Sequence, residues 1–188
     1  IKNINKSTLL LLSKCNYKFI NFINKVKELI KLKFKNNDKV KISLITTANY
    51  RSIANKNKTR DEIDKSLEKF KNKLINLLNI EIELIDCSRK KNYYKFKNSI
   101  KNNNIFWVIG GDTLYLMYYL KKYKFDKLIK ERILNDKIIY IGCSAGSIIV
   151  GNTIDTSFIH RRYTNLKKYF EIKTFKKKYW KNDKTRQA

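Results

Sequence analysis

Residues 137–151 read KIIYIGCSAGSIIVG, and this stretch decides the fold class of the chain. The run KIIYIG has the composition of a buried β-strand, and a turn and a short apolar helix are predicted directly after it. The turn contains G-x-S-x-G with Ser144 at its centre. Between a strand and a helix, this pattern is typical of a nucleophile elbow, a sharp turn that lifts a serine side chain clear of an α/β sheet. The alternative interpretation is a plain tight turn.

The glycines mark a second special site. All five lie between positions 110 and 151, and glycine is needed where φ is positive or where backbones approach closely. The motif GGDT at 110–113 follows another strand-like run, and ligands of open α/β sheets bind at the carboxyl ends of strands. A glycine amide there, with the amide of Ala145, is placed to stabilise an oxyanion. The alternative is a helix N-cap by Asp112 or Thr113, with the glycines easing the turn, and both interpretations can hold at once.

Strand-like runs and helical periods alternate along the rest of the chain. Thr59 and Glu62 form a capping box at the start of the clearest predicted helix. The alternation predicts an α/β fold, with a mainly parallel sheet and helices on both faces. We expect one α/β domain over residues 1–155 and a basic C-terminal segment over residues 156–188. Strands are predicted over 7–13, 39–48, 80–87, 105–109 and 137–142, and helices over about 19–30, 59–78, 93–101, 113–122, 126–134 and 145–150.

The 188-residue chain is strongly basic, with 43 Lys and Arg against 16 Asp and Glu, or a net charge of +27. Such a charge favours an anionic partner such as nucleic acid. However, Lys exceeds Arg fivefold and Pro is absent, as A/T-rich codons would produce, whereas phosphate-binding surfaces favour Arg. We therefore predict base-composition drift rather than a nucleic-acid partner, and leave the second possibility open.

Other sequence features indicate the cellular compartment of the protein. Three cysteines without a CxxC pair argue against a disulfide framework or a zinc site and favour a reducing compartment. No apolar run is long enough to cross a bilayer. The N-terminus lacks the pattern of a signal peptide. Because the chain opens at Ile1 rather than Met, we expect a fragment or a processed product. The prediction is a cytoplasmic protein with no membrane partner, no cofactor and no metal, and its oligomeric state is left open.

The segments IFWVIGGDTLYLMYYL and IYIGCSAGSIIVG together resemble the dipeptidase E (alpha-aspartyl dipeptidase) and cyanophycinase family of serine peptidases. Members carry a G-G-[ND]-T loop and a G-x-S-A-G elbow after successive strands, and the similarity runs over about residues 7–154. The resemblance implies a flavodoxin-like or class I glutamine-amidotransferase-like fold, a nucleophile at Ser144, and oxyanion amides on Gly111 and Ala145. It also implies cleavage of short peptides after an N-terminal Asp.

The remaining catalytic partners depart from the family pattern. An acyl-transfer serine needs a base, normally His, held by an acceptor. The only histidine is His160, whereas the family's later His-Phe sequence is matched here by Thr174-Phe175. The family's acid aligns without gaps on Ile159, which leaves Asp155 as the nearest carboxylate to serve His160.

Three functions follow as hypotheses. The first is a serine peptidase that acts on short peptides, for which a positive pocket would suit an acidic substrate. The second is a catalytically incomplete member of the family, either degenerate or truncated. The third is a basic nucleic-acid-associated protein on the same fold.

Overall fold

The computed structural model describes residues 6–14, 20–34, 39–90 and 93–151. Its centre is a five-stranded sheet in the order β1-β5-β4-β2-β3, and every neighbouring pair is parallel. The predicted α/β class is therefore confirmed. The strands are β1 (Thr8–Leu12), β2 (Lys41–Ile45), β3 (Glu81–Ile85), β4 (Ile105–Val108) and β5 (Ile139–Cys143).

The helices lie close to their predicted positions. The capping box begins α2 as expected, because Thr59 accepts from the Glu62 amide while the Glu62 side chain accepts from the Thr59 amide. Asn79 ends this helix in the left-handed conformation. The helices are α1 (Ile20–Lys33), α2 (Arg60–Leu78), α3 (Tyr93–Asn102), α4 (Thr113–Lys122), α5 (Phe125–Asn135) and α6 (Ala145–Ile148).

Helices cover both faces of the sheet, so the core has two layers. Since side chains alternate along a strand, β4 sends Phe106 and Val108 to one face and Ile105 and Trp107 to the other. The first face packs against α3, α4, α5 and α6. The second packs against α1 and α2. Because the central strands are buried on both sides, they read as continuous apolar runs in the sequence.

The second predicted strand is wrong at its carboxyl end. Strand β2 stops at Ile45, and two 3-10 helices, Thr47–Arg51 and Ile53–Asn55, follow it. The backbone leaves the extended region at Thr46, where φ is −110° and ψ is −2°. Two threonine hydroxyls fix this departure, because Thr46 Oγ1 donates to the Ile85 carbonyl and Thr47 Oγ1 accepts from the Cys87 amide. These β-branched residues favour a strand, but here their hydroxyls bond to the end of β3 and to the loop that follows it.

Two expectations from the sequence concern a membrane-spanning segment and the domain boundary. Among the described residues, no helix is long and apolar enough to span a bilayer. The predicted boundary between residues 155 and 156 falls outside the described ranges and stays a prediction.

Candidate active site

Ser144 lies between β5 and α6, at the carboxyl edge of the sheet. Its φ of 49° and ψ of −106° lie outside the regions that ordinary L-residues occupy. Asn79 and Lys124, the other two described non-glycine residues with positive φ, both have the common left-handed geometry. Ser144 is exposed, whereas Cys143 and Ala145 on either side of it are buried. Such backbone strain clusters at functional sites, where the surrounding structure must hold it in place.

Hydrogen bonds from two strands hold this strained turn. The Leu12 carbonyl, at the end of β1, accepts from the Ser144 amide at 2.8 Å and from Ser147 Oγ at 2.8 Å. Ser147 Oγ in turn accepts from the Leu12 amide at 3.0 Å. On the opposite side, the buried Tyr140 hydroxyl donates to the Gly146 carbonyl at 2.7 Å. The turn is thus tied to β1 and to β5.

The two glycines that flank the turn allow a close packing of backbones. A methyl group at Gly146 would lie 2.3 Å from the Val108 carbonyl oxygen, at the end of β4. A methyl group at Gly142 would lie 2.7 Å from the Gly146 carbonyl oxygen. Neither contact is sterically possible, so both positions require glycine for α6 to sit this close to the sheet.

The loop after β4 approaches Ser144 from the neighbouring strand. A methyl group at Gly110 would lie 3.2 Å from Ser144 Cβ and 3.8 Å from its Oγ. Gly111 has a φ of 145°, and a methyl group there would lie 2.1 Å from the Ala48 carbonyl oxygen. That carbonyl accepts from the Asp112 amide at 2.9 Å, which fixes the loop against the segment that follows β2. Within the described part of the chain, the amides of Gly110 and Gly111 make no hydrogen bond.

Asp112 also caps α4, since its carboxylate accepts from the amides of Leu114 and Tyr115 at 3.0 Å each. The N-cap interpretation of the GGDT motif is therefore correct for Asp112. It coexists with the free amide of Gly111, the predicted oxyanion donor. Ala145 is the first residue of α6, where an amide has no acceptor within its own helix.

A cavity of about 730 Å³ opens beside Ser144. Residues that follow the carboxyl ends of the strands line it, including Gly110 and Asn49. One face of α2 supplies its wall, with Ser66, Lys69 and Lys73 at helical spacing. Lys14 adds a third ammonium group, and the described lining contains no Asp or Glu. The cavity is therefore electropositive.

A charged cluster lies between α2 and the loops after β2 and β3. Asp64 accepts from the Tyr50 hydroxyl at 2.5 Å and forms an ion pair with Arg89. The Asp86 side chain, only 6% exposed, pairs with both Arg60 and Arg89. The Arg60 guanidinium also lies 4.3 Å from the centre of the Tyr50 ring. Burial and the bond to Asp64 together raise the pKa of Tyr50 well above its usual range, so this hydroxyl stays protonated.

The cysteines correct one expectation. Cys143 is disulfide-bonded, whereas Cys87 is free and buried. The expectation was wrong because an odd count of cysteines excludes complete pairing but still allows one disulfide. Burial raises the pKa of the Cys87 thiol to about 12.

The structure describes three of the five predicted site residues. Ser144, Gly111 and Ala145 lie on adjoining turns at one edge of the sheet. The predicted base His160 and its partner Asp155 lie outside the described residues. Asn49 and Lys69 were missed because they stand far from any motif, and only the fold brings them to the cavity. No group of three or more His, Cys, Asp or Glu side chains suited to a metal occurs in the described ranges.

Comparison with known proteins gives a consistent result. The model of peptidase family S51 matches residues 9–171. An uncharacterised peptidase, Lmo0363, from Listeria monocytogenes serovar 1/2a is 33% identical over 82 residues, which are 44% of this chain and 39% of the relative. Peptidase E of Shewanella sp. strain MR-4 is 39% identical over 61 residues, which are 32% of this chain and 25% of the relative. The matched segments thus span well under half of these curated relatives.

Two solved structures share the fold. The crystal structure of a candidate peptidase E protein from Listeria monocytogenes EGD-e superposes with a TM-score of 0.58 at 25% identity, covering 86% of this chain and 71% of that one. A peptidase from an acI-B1 actinobacterium superposes with a TM-score of 0.62 at 18% identity, covering 80% of this chain and 59% of that one. The second likeness supports the fold alone.

Proposed function

The chain belongs to peptidase family S51, and from that premise we propose that it is a serine peptidase that hydrolyses short peptides with Ser144 as its nucleophile. One observation carries the proposal, namely the strained backbone of Ser144 at the mouth of the cavity. Strain of this kind persists only where neighbouring contacts maintain it. Here the bonds from Leu12 and Tyr140 and the two close glycine contacts maintain it without burying the hydroxyl.

In the proposed reaction, Ser144 Oγ loses its proton to a base and attacks the carbonyl carbon of the scissile peptide bond. The carbonyl oxygen takes the negative charge and accepts from the amides of Gly111 and Ala145. The protonated base then gives its proton to the leaving amine as the carbon–nitrogen bond breaks. Water, activated by the same base, releases the acyl group from Ser144. Preorganised donors of this type contribute about 10²- to 10³-fold each to kcat.

We propose His160 as the base and Asp155 as its acceptor. The support comes from elimination and chain order, since His160 is the only histidine and Asp155 precedes it within five residues. A base is effective when its nitrogen lies about 3 Å from the serine oxygen and its second nitrogen is held by an acceptor. If His160 does not reach Ser144, the chain is an elbow without a base, and this is the competing hypothesis.

The proposed substrates are peptides that carry an acidic residue, such as an N-terminal Asp. The charge of the cavity supports this, because Lys14, Lys69 and Lys73 line it and its described lining contains no Asp or Glu. Ammonium groups on flexible stems act as point charges for a carboxylate. A peptide with an acidic side chain is therefore favoured over its neutral amide analogue.

Two measurements on the full chain test the proposal. The first is hydrolysis of a dipeptide panel, Asp-Leu, Asn-Leu and Lys-Leu, by the wild type and by Ser144→Ala and His160→Ala. Asp-Leu should be cleaved fastest, and each variant should lower kcat by at least about 10³-fold, because the members of a triad act as a unit. Ser66→Ala, a serine on the cavity wall away from the elbow, is the matched control.

The second measurement is covalent labelling with a fluorophosphonate, with the modified residue located by mass spectrometry. Labelling of Ser144 that is lost in His160→Ala supports the complete mechanism. Full-rate hydrolysis by Ser144→Ala would refute the proposed nucleophile. A folded wild type that neither cleaves the dipeptides nor takes up the label would instead support a catalytically incomplete protein.

A further inference from the structure

The first 3-10 helix after β2 carries an asparagine whose side-chain orientation is fixed by a second asparagine. Asn55 Nδ2 donates to the backbone carbonyl oxygen of Asn49 at 3.1 Å and to Asn49 Oδ1 at 2.7 Å. Asn49 lines the cavity beside Ser144, whereas Asn55 is absent from the cavity lining and approaches Asn49 from elsewhere in the loop.

Elementary hydrogen-bond chemistry assigns both amide groups. A backbone carbonyl oxygen only accepts, so the Asn55 atom that faces it must be the amino group. The same amino group faces the side chain of Asn49, so the Asn49 atom at 2.7 Å must be the acceptor Oδ1. The Asn49 Nδ2 group is therefore turned away from Asn55. It is not buried, and no described residue accepts a hydrogen bond from it.

The backbone beneath this group is held firmly. The Asn49 amide donates to the Thr46 carbonyl at 2.9 Å, and the Asn49 carbonyl also accepts from the Ser52 amide at 3.1 Å. The next residue, Tyr50, is bound through its hydroxyl to Asp64 on α2. Because this loop is already ordered, little conformational entropy is lost when the donor binds a ligand. That is the advantage of a preorganised site.

We propose that Asn49 is a substrate-binding residue whose Nδ2 group donates to a carbonyl or carboxylate oxygen of a peptide in the Ser144 cavity. Asn55 is the residue that positions it, acting through Asn49 rather than on the peptide. The inference rests on the proposed function, since it takes the ligand of the cavity to be a peptide. It adds a neutral, directional donor to a cavity whose other polar groups on the α2 wall are flexible lysines and a serine.

The isosteric substitution Asn49→Asp distinguishes a substrate-binding role of Asn49 from a structural role. Aspartate has the same shape and still accepts from Asn55, but it turns an acceptor instead of a donor toward the peptide. Asn49→Ala removes both the contact with Asn55 and the donor. A binding role therefore predicts a larger loss for Asn49→Asp than for Asn49→Ala, and a merely structural role predicts the reverse order.

The experiment measures the Kd of the dipeptide Asp-Leu by calorimetry in the Ser144→Ala background, where no turnover occurs. Asn49→Ala should raise Kd about 5- to 20-fold, as loss of one neutral hydrogen bond does. Asn49→Asp should raise it by more than about 50-fold, because a carboxylate then faces an acidic peptide. Asn55→Ala should give a smaller rise, and the exposed Asn57, which lies outside the cavity lining, supplies the control Asn57→Ala with no change. In the catalytic background the same variants should raise KM more than they lower kcat.

The failure of this inference and the failure of the proposed function give different results. An unchanged Kd in both Asn49 variants, or a larger loss for Asn49→Ala than for Asn49→Asp, overturns the role of Asn49 while hydrolysis by the wild type stands. Absence of hydrolysis together with the expected order of Kd values overturns the peptidase and supports Asn49 in a peptide-binding cavity. If the Ser144→Ala protein binds no Asp-Leu, the inference about Asn49 is overturned as well.

Discussion

The two halves of the carboxyl edge are built in different ways. The glycine half consists of the loop after β4 and the turn from β5 into α6, with Gly110, Gly111, Gly142 and Gly146. At the last three of these glycines, close backbone contacts leave no room for a side chain and set the shape of the backbone. The polar half consists of the loops after β2 and β3, residues 46–55 and 86–89, where ion pairs and hydroxyl bonds set the shape. The proposed nucleophile Ser144 lies in the glycine half, and the proposed binding donor Asn49 lies in the polar half.

This difference explains why one half is visible in the sequence and the other is not. A close backbone approach demands glycine at a fixed position, so the demand is written locally in the chain. A charged cluster needs only that some residue of suitable chemistry reach a given point, and its members Tyr50, Asp64 and Arg89 come from three separate elements. The glycine half should therefore fail under the smallest addition of volume, and the polar half under loss of charge.

The largest effect is expected in the glycine half, from Gly146→Ala. The new methyl group would meet the Val108 carbonyl oxygen at 2.3 Å, and this neighbour is backbone that cannot rotate away. We expect a loss in the free energy of unfolding above about 3 kcal/mol, the upper end of the usual cost of overpacking. Urea denaturation measures it.

Gly110→Ala is the matched control within the same half. Its methyl group would meet the Ser144 side chain at 3.2 Å rather than backbone, so the loss of stability should be about 1 kcal/mol or less. Its activity should nonetheless fall, because the added group lies 3.8 Å from the Ser144 oxygen. Equal stability losses in Gly110→Ala and Gly146→Ala would break the account of the glycine half.

The sequence predicts those parts of the fold whose buried residues follow a regular pattern along the chain. The five strands and the capping box of α2 follow from apolar runs and one local pair, Thr59 and Glu62. The predicted end of β2 was wrong because Thr46 and Thr47 have strand propensity, but their hydroxyls bond to the last residue of β3 and to the loop after it. Asp64 on α2 binds Tyr50 and Arg89, which lie 14 and 25 residues away in the sequence. Periodicity cannot reveal partners that are distant in sequence.

The next largest loss of stability is expected in the polar half, from Asp86→Asn. This change keeps the shape and removes the charge that faces Arg60 and Arg89 on a side chain only 6% exposed. Breaking a buried ion pair costs about 3–5 kcal/mol, and the partial exposure of Arg60 reduces this to about 2–3 kcal/mol. Denaturation of the variant in urea gives the value.

The exposed pair Lys25–Glu28 provides the contrast for this prediction. Lys25→Met should change stability by less than about 0.5 kcal/mol, as surface pairs do. If Asp86→Asn were no worse than Lys25→Met, charge would not be what shapes the polar half.

Tyr140→Phe removes the hydrogen bond by which a buried side chain of β5 holds the carbonyl of Gly146. The buried Gly146 carbonyl then loses its partner at 2.7 Å, and we expect a loss of about 1–2 kcal/mol, as for an unsatisfied buried acceptor. The loss should be smaller than that of Gly146→Ala, because the close backbone contacts remain. Urea denaturation of the variant and the wild type measures the difference. An unchanged stability would show that the Tyr140 hydroxyl contributes nothing to the elbow.

Apart from the control variants, the smallest effect is expected as a pH dependence in the polar half, where the Cys87 amide donates to Thr47. Burial raises the pKa of the Cys87 thiol to about 12, whereas an unfolded cysteine titrates near 8.5. The folded thiol therefore stays protonated while the unfolded one ionises, so stability is fully present below about pH 8.5 and is lost as the pH rises toward 12. Between pH 8.5 and 9.5 this amounts to roughly 1 kcal/mol.

Cys87→Val isolates that contribution, since valine fills a similar volume and does not titrate. The pKa values of Tyr50 and Tyr140 are also raised, but an unfolded tyrosine ionises only near pH 10. The lowered pKa values of Lys33 and Lys121 act equally in both proteins and cancel in the difference. The wild type should thus lose roughly 1 kcal/mol more than Cys87→Val over this interval. Parallel pH curves for the two proteins would mean that the thiol is reached by water, and that the loops of the polar half open far more readily than their ion pairs imply.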